Sequence, residues 1–379
     1  MQPTRGYLEG YYGRLLAWEE RAALLDELAL RGLNAYVYAP KEDVCHRLFW
    51  RRPYDMTWRD AFRKFCADAQ NRGIDVIAGV APGIDFAFAA LEGGADLDIA
   101  CEKLAQLRLD GATRLMLLMD DIDADFAERN PGRASEGEAH ALLANRLGER
   151  LDASLVVVPR VYAGELARDD PDYLADFVRV LAPRHDIAYC GPDIVSRTVL
   201  PENLLLPGDR PDRRVILWDN LYANDYCPRR LFVGSWQGRT GIQDVWLNGT
   251  GLPETDRLLL ALMACQESID GDAPRARTRA VLRAFGVPAA FDAIADALAC
   301  PMTNDRLEQP LCALMPDETV LASIDELLWR WKTVLSREWY PFLMGLRQDL
   351  LLSAGKLSAD RIRKTQTPPL ARRLLAGDA

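Results

Sequence analysis

The stretch that most limits what this chain can fold into is Arg114 to Phe126, RLMLLMDDIDADF. Leu115 to Met119, after Arg114, show no polar alternation, so they read as a strand buried on both faces. A parallel sheet covered by helices requires such strands. The run then breaks into Asp120, Asp121, Asp123 and Asp125. Two adjacent carboxylates at the end of a buried strand repel each other and lose solvation, so folding alone does not ask for them there. One aspartate in a strand–helix connection serves equally well as a helix cap. The pair at the lip of an apolar strand is read as two catalytic carboxylates. Neighbouring residues leave a strand on opposite faces, so the chain must bend after Asp120 if both are to serve one substrate.

Around this strand the chain alternates strand-like and helix-like segments. The other strands are read over Gly6–Gly10, Asn34–Ala39, Asp75–Val80, Leu155–Val158, Ile187–Cys190, Val215–Leu217 and Ile242–Leu247. Helices are read over Trp18–Arg31, Trp58–Arg72, Leu97–Leu109, Glu136–Leu151, Asp172–Leu181 and Glu254–Gln266. In the first helix Leu24, Leu25, Leu28 and Leu30 are assigned to the apolar side. Eight βα units in about 265 residues predict an α/β chain whose residues 1–268 form a (β/α)8 barrel. Past Asp270 the strands stop. Pro274–Gly286, Pro288–Ala299 and one long run, Glu318–Leu351, read as helices, so residues 269–379 are expected to form a C-terminal all-α domain. The long run carries Leu321, Ile324, Leu327, Leu328, Trp331, Val334 and Leu335, a stripe for packing against a neighbour. The tail from Lys356, with Arg361, Arg363, Lys364, Arg372 and Arg373, reads as a solvated basic terminus.

Composition narrows the function. A formal charge of −10 disfavours nucleic acid as the main partner. The start MQPTRGYLEG has no apolar core, and no apolar run of about 18 residues follows, so neither a signal peptide nor a membrane span is expected. The eight cysteines (Cys45, Cys66, Cys101, Cys190, Cys227, Cys265, Cys300 and Cys312) form no CxxC pair and read as reduced thiols of a cytoplasmic protein. His46, His140 and His185 have no metal-ligand spacing, so no metal is expected.

In such a barrel the chemistry sits at the C-terminal ends of the strands. Those ends carry Glu9-Gly10-Tyr11-Tyr12-Gly13, Lys41, Asp120-Asp121, Tyr162, Trp218-Asp219-Asn220 with Asn224-Asp225 beyond, and Asn248. Each has a structural reading by itself: a surface cation, a packed ring, a cap. Together they ring one mouth with aromatics, amides and carboxylates. That is the equipment for a sugar, whose apolar faces stack on rings and whose hydroxyls need paired donors and acceptors.

The motifs EGYYG, NAYVYAPKEDVCHRLFWR, APGID, DDID, WDNLYANDY and LFVGSWQGR occur in this order over roughly residues 6 to 265. This set resembles the O-GlcNAcases and related β-N-acetylglucosaminidases, glycoside hydrolase family eighty-four. The resemblance implies that Asp120 holds the N–H of the substrate's 2-acetamido group, and that Asp121 is general acid and then general base. It implies that Gly10, Lys41, Asn220, Asp225 and Asn248 hydrogen-bond the sugar, with Asp225 on the outer hydroxyls. Tyr162 would touch the acetamido group, and Trp218 and Tyr12 would wall the pocket. Three segments depart from the pattern. Tyr189-Cys190-Gly191-Pro192 stands where many relatives have Trp-Thr-Gly-Pro, Asn248-Gly249 where they have Asn-Pro, and Val158-Pro159-Arg160-Val161 where they have Cys-Pro-Thr-Glu.

The implied reaction is a retaining, exo-acting removal of O-linked GlcNAc from Ser/Thr of proteins or related conjugates. The acetamido oxygen attacks the anomeric carbon to form an oxazoline, so no separate protein nucleophile is needed. Asp121 must start protonated, and burial beside Asp120 is expected to raise its pKa. A glycan such as hyaluronan is the alternative substrate. Two rivals come from other classes. In one, Asp120, Asp121, Asp123 and Asp125 bind Mg²⁺ or Ca²⁺ for phosphate chemistry, against which stands the lack of a Gly-rich loop. In the other, the barrel is an inactive sugar-binding module. The expected partner is a GlcNAc-bearing glycoconjugate or glycoprotein, with no cofactor, nucleic acid or membrane. The C-terminal helices are the place for a homodimer, should one form.

Overall fold

The computed structural model describes residues 2–91, 93–130, 132, 135–208, 213–226, 231–265, 274–299, 314–358 and 360. Eight parallel strands close into a barrel in chain order: β1 (Arg5–Glu9), β2 (Ala35–Tyr38), β3 (Asp75–Val80), β4 (Arg114–Leu118), β5 (Leu155–Val158), β6 (Asp186–Tyr189), β7 (Val215–Asp219) and β8 (Val245–Asn248). Closure comes from β1 pairing with β8, Gly6 opposite Trp246 and Leu8 opposite Asn248. Helices α1 (Trp18–Leu30), α2 (Met56–Gln70) and α3 (Ala95–Leu109) follow the first three strands. A short turn, α4 (Phe126–Arg129), and α5 (Glu136–Arg150) follow β4; α6 (Pro171–Val180) follows β5 and α7 (Pro253–Cys265) follows β8.

The central strand is buried on both faces, as its unbroken apolar run predicts. Met116 and Leu118 point into the barrel with Leu8, Val37, Val156 and Ile216. Leu115, Leu117 and Met119 pack outward under the helices with Leu104, Leu143 and Leu147. Alternation therefore sends Asp120, two residues past Leu118, into the barrel mouth.

Several details differ from the sequence reading. Among the described residues β6 and β7 are each followed by a loop; the first contains one 3-10 turn, Pro201–Leu204. So eight strands do not make eight βα units. These connections hold Pro192, Pro201, Pro207, Gly234, Gly238 and Gly241, poor helix formers. The eighth strand starts at Val245 rather than Ile242. In α1 Leu24, Leu25 and Leu28 are buried, but Leu30 is 72% exposed, because two residues past Leu28 lies on the opposite side of a helix.

Beyond the barrel lie α8 (Pro274–Ala284), two 3-10 turns (Ala289–Ala293 and Ala295–Leu298), α9 (Glu318–Trp329) and α10 (Val334–Ser353). The expected helix over Pro288–Ala299 is thus a pair of 3-10 turns. Buried Phe291, Ile294 and Ala297 are three apart, the period of that tighter coil. The long run Glu318–Leu351 is two helices. Thr333 ends the first stretch by capping the next: its hydroxyl accepts from the Ser336 amide at 3.1 Å, and Ser336 Oγ accepts from the Thr333 amide at 2.8 Å. The break shifts the stripe out of phase and leaves Val334 59% exposed.

The C-terminal helices pack on the barrel through α7. The Glu338 carboxylate accepts from the amides of Glu254 (3.0 Å) and Thr255 (2.8 Å), the open N–H groups at the start of α7. Fully buried Trp339 donates to Thr255 Oγ1 at 3.0 Å. Cys45, Cys66, Cys101 and Cys190 are free thiols; Cys227, Cys300 and Cys312 lie outside the described residues, as do the 268/269 boundary and the basic tail beyond Asp360. Among the described residues no helix is long and apolar enough to cross a membrane.

Candidate active site

A cavity of about 820 Å³ opens at the C-terminal ends of the strands. Nine of the ten residues singled out from the sequence line it: Gly10, Tyr12, Asp120, Asp121, Tyr162, Trp218, Asn220, Asp225 and Asn248. The tenth, Lys41, is buried directly behind Asp120.

The chain bends where the carboxylate pair requires it. Asp121 has φ +54°, one of two non-glycine residues with positive φ among those described. Aspartate tolerates this left-handed conformation better than most residues, at some cost in strain. The bend turns the Asp121 side chain back toward the mouth, where Lys41 Nζ lies 3.3 Å from its Oδ2. Lys41 also donates to Asp120 Oδ2. The other Asp120 oxygen, Oδ1, is buried and has no hydrogen-bond partner among the described residues.

Asp121 accepts from two tyrosines, Tyr12 on Oδ2 at 2.9 Å and Tyr162 on Oδ1 at 2.8 Å. Its ionisation differs from the expectation. Burial pushes the carboxyl up, but the Lys41 ammonium, the two tyrosine hydroxyls and the Arg47 guanidinium together outweigh burial. The carboxyl is therefore held below the usual aspartate value. Burial alone would raise it; the groups that lower it come from Tyr12, Lys41, Arg47 and Tyr162, far from Asp121 along the chain. The same proximity works in reverse on the tyrosines: burial first, then the Asp121 charge, pushes both hydroxyls above their ordinary range, so both are donors at neutral pH.

The opposite wall is an amide network. Asn248 Oδ1 accepts from the Gly10 amide at 3.1 Å, and its Nδ2 donates to Asn220 Oδ1 at 2.9 Å. Asn220 Oδ1 also accepts from Trp218 Nε1 at 3.0 Å, while Asn220 Nδ2 donates to the Ile194 carbonyl at 2.8 Å. Gly10 has to be glycine here, since a Cβ would stand 2.5 Å from the Trp218 ring. Asp225 Oδ2 accepts from the Tyr12 amide at 3.1 Å, tying the loop beyond β7 to the loop beyond β1.

Some site residues escaped the sequence reading. Arg47, nine residues past the end of β2, is buried against the backbone of both aspartates. Glu165, Arg168, Asp193 and Tyr226 line the outer cavity on the long loops. No periodicity marks loop residues, and Arg47 sat unremarked inside a quoted motif. Asp125 turns to Arg129 at 2.7 Å, away from the pair. Among the described residues no group of three or more His, Cys, Asp or Glu side chains could hold a metal. The three histidines are buried in the fold, His46 against the Gly79 carbonyl, His140 against Tyr173 and His185 against the Leu155 amide.

Known proteins resemble this chain in sequence and in fold. The protein O-GlcNAcases of Rattus norvegicus and Mus musculus are each 30% identical to this chain over 241 residues, 62% of this chain and 26% of theirs. The match thus spans about a quarter of the length of those relatives. Among solved structures, a mutant O-GlcNAc hydrolase of Thermobaculum terrenum has the same fold, with a TM-score of 0.76 at 21% identity, covering 100% of this chain and 90% of that one. The family model of the beta-N-acetylglucosaminidases matches residues 5–251. That span runs from the first strand of the barrel to the loop beyond the last and takes in every residue of the cavity described above, so this chain belongs to the beta-N-acetylglucosaminidase family.

Proposed function

We propose that this protein is a retaining exo-β-N-acetylglucosaminidase that removes O-linked GlcNAc from serine or threonine of proteins, or from related conjugates, by substrate-assisted catalysis. The observation that carries the reading is the different placement of two adjacent carboxylates. Asp120 has one oxygen on Lys41 and the other buried without a partner among the described residues, a fixed acceptor for the acetamido N–H. Asp121 reaches the mouth on its left-handed bend, with both oxygens on hydroxyls that a substrate can displace.

The sequence of events follows from those placements. Asp120, ionised, accepts from the acetamido N–H and stabilises the positive charge that grows as the acetamido oxygen bonds to the anomeric carbon. Asp121, protonated, gives its proton to the departing alcohol oxygen as the glycosidic bond breaks. The oxazoline that results is opened by water, from which Asp121 now takes a proton. Two inversions at the anomeric carbon retain its configuration. Lys41, shared between the carboxylates, balances their charge. Entry of the sugar replaces water around Asp121 and displaces tyrosine donors, and both changes raise its pKa toward that of a working acid.

The test is a set of kcat/KM values against leaving-group acidity. Asp121→Asn nearly abolishes cleavage of a GlcNAc-serine peptide and spares an aryl β-GlcNAc with an acidic phenol, where a general-acid contribution of about 10²–10⁴-fold is not needed. Asp120→Asn lowers both together, because every substrate must cyclise. An exchange of the two patterns reverses the roles. Normal activity in both variants removes the reading.

A further inference from the structure

We propose that Arg47 is a positioning residue for this reaction, holding the left-handed bend at Asp121 by binding the backbone carbonyls of Asp120 and Asp121 together. The proposal rests on the reading of Asp121 as acid and base.

The bend is where the barrel stops supplying backbone partners. Strand β4 ends at Leu118, and the Met119 amide, donating to the Val158 carbonyl at 2.9 Å, is the last link from this segment to β5. The carbonyls that follow need other donors, since a buried carbonyl left unpaired is costly. Arg47 supplies them. Its Nη1 donates to the Asp120 carbonyl at 3.3 Å and its Nη2 to the Asp121 carbonyl. A planar guanidinium with fixed, divergent donors fits two successive carbonyl oxygens; an ammonium is a single point of charge. With both carbonyls held by one rigid group, the rotation that would return Asp121 to an extended backbone breaks at least one bond. That rotation would swing its carboxylate away from Asp120 and the mouth.

Arg47 is in turn fixed by its own loop. Asp43 Oδ2 accepts from the hydroxyls of Tyr38 (2.7 Å) and Tyr54 (2.9 Å), and its Oδ1 accepts from the Cys45 amide at 2.9 Å. His46 Nδ1 donates to the Gly79 carbonyl at 3.0 Å, on β3. Lys103, from α3, donates to the carbonyls of Trp50 (2.9 Å) and Arg52. Arg47 is 8% exposed and its loop is tied to β2, β3 and α3, so the bend at Asp121 is braced against the barrel wall. Group orientation of this kind governs rate, since misplacement by about 1 Å costs on the order of 100-fold.

The experiment is a double-mutant cycle of Arg47→Lys with Asp121→Asn, read as kcat/KM on a GlcNAc-serine peptide and on aryl β-GlcNAc substrates of graded acidity. Inhibition by free GlcNAc and the melting temperature are measured beside it. Arg47→Lys is expected to lose about 100-fold on the peptide and little on the most acidic phenol, with GlcNAc inhibition unchanged. In the Asp121→Asn background the same change is expected to cost less than about 3-fold, because it acts through the side chain already removed. Independent, additive losses overturn the proposal, as does an equal loss for all leaving groups. If Arg47→Lys does not fold, Arg47→Gln carries the same cycle. Failure of both to fold makes Arg47 a residue of the fold alone and also overturns it. Wild-type protein inert toward every β-GlcNAc substrate would instead sink the parent reading, a distinct result.

Discussion

The Tyr162 hydroxyl donates to Oδ1 of Asp121 at 2.8 Å, a bond that favours the ionised carboxylate. Tyr162→Phe removes it and lets the Asp121 pKa rise. For a poor leaving group the acid must be protonated, so kcat/KM declines as pH rises through the pKa of Asp121 in the free enzyme. The Phe variant should therefore hold its activity to higher pH than wild type on such substrates, while losing rate overall. A pH profile of kcat/KM on an alkyl β-GlcNAc checks this. A descending limb that stays in place would mean that it reports another group.

Asp225 stands half-buried on the loop beyond β7, bonded to the Tyr12 amide at the cavity rim. If it clamps the outer hydroxyls of the sugar, Asp225→Ala forfeits a charged hydrogen bond of about 1.5–3 kcal/mol. That is roughly one to two orders of magnitude in kcat/KM, the same for serine and phenol leaving groups. Kinetics on both substrates decide the matter, and unchanged values would remove Asp225 from sugar binding.

Glu338 caps a helix that belongs to another part of the chain. Glu338→Ala leaves the Glu254 and Thr255 amides without their acceptor, for an expected loss of about 1–3 kcal/mol in unfolding free energy. Activity per folded molecule on an aryl β-GlcNAc should not change. Truncation near Asp270 removes this cap and the Trp339 contact together, and should cost solubility before it costs sugar chemistry. A well-folded truncation with no turnover would show that the C-terminal helices contribute to the site.

Buried histidines set an acid limit on the fold. Burial pushes His46 down to about 4, His140 to about 3 and His185 to about 4. An unfolded histidine titrates near 6.5, so between there and pH 4 the unfolded chain binds the protons and the folded chain does not. Stability from these groups is complete above about pH 6.5 and is lost as pH falls toward 4. Denaturant titrations across that window should show the decline, shallower in His140→Gln even though that variant starts from lower stability. Equal slopes would show that His140 is not a source of it.

How much of this was readable beforehand depends on where each residue's partners lie. Strand β4 and its aspartates were legible because an unbroken apolar run that ends in charge has few solutions. The bend at Asp121 was required by strand geometry alone, and φ +54° meets the requirement. The lowered pKa was not legible, since Lys41, Tyr12 and Tyr162 reach Asp121 from three other strand ends. Arg47 was missed for a different reason: it acts on backbone carbonyls, which every residue has. The departure at Gly249 has a physical cause that sequence cannot display. A Cβ there would lie 2.3 Å from the Tyr7 hydroxyl, which donates to Asp256 at 2.7 Å. The helix break at Thr333 was readable in principle from the Thr-x-x-Ser spacing.

Because β1 pairs with β8, the strand that leads into Gly10 has one free edge until residue 248 has been synthesised. A ribosome adding about 5–20 residues per second leaves that edge open for on the order of ten seconds or more. During that time the most N-terminal part of the sugar site exists without its amide wall, Asn220 and Asn248. The α7 helix start waits longer still, until Glu338 and Trp339 emerge. The sheet that carries the sugar site is therefore unclosed throughout the interval between the synthesis of β1 and that of β8, and the site is completed only at its last strand.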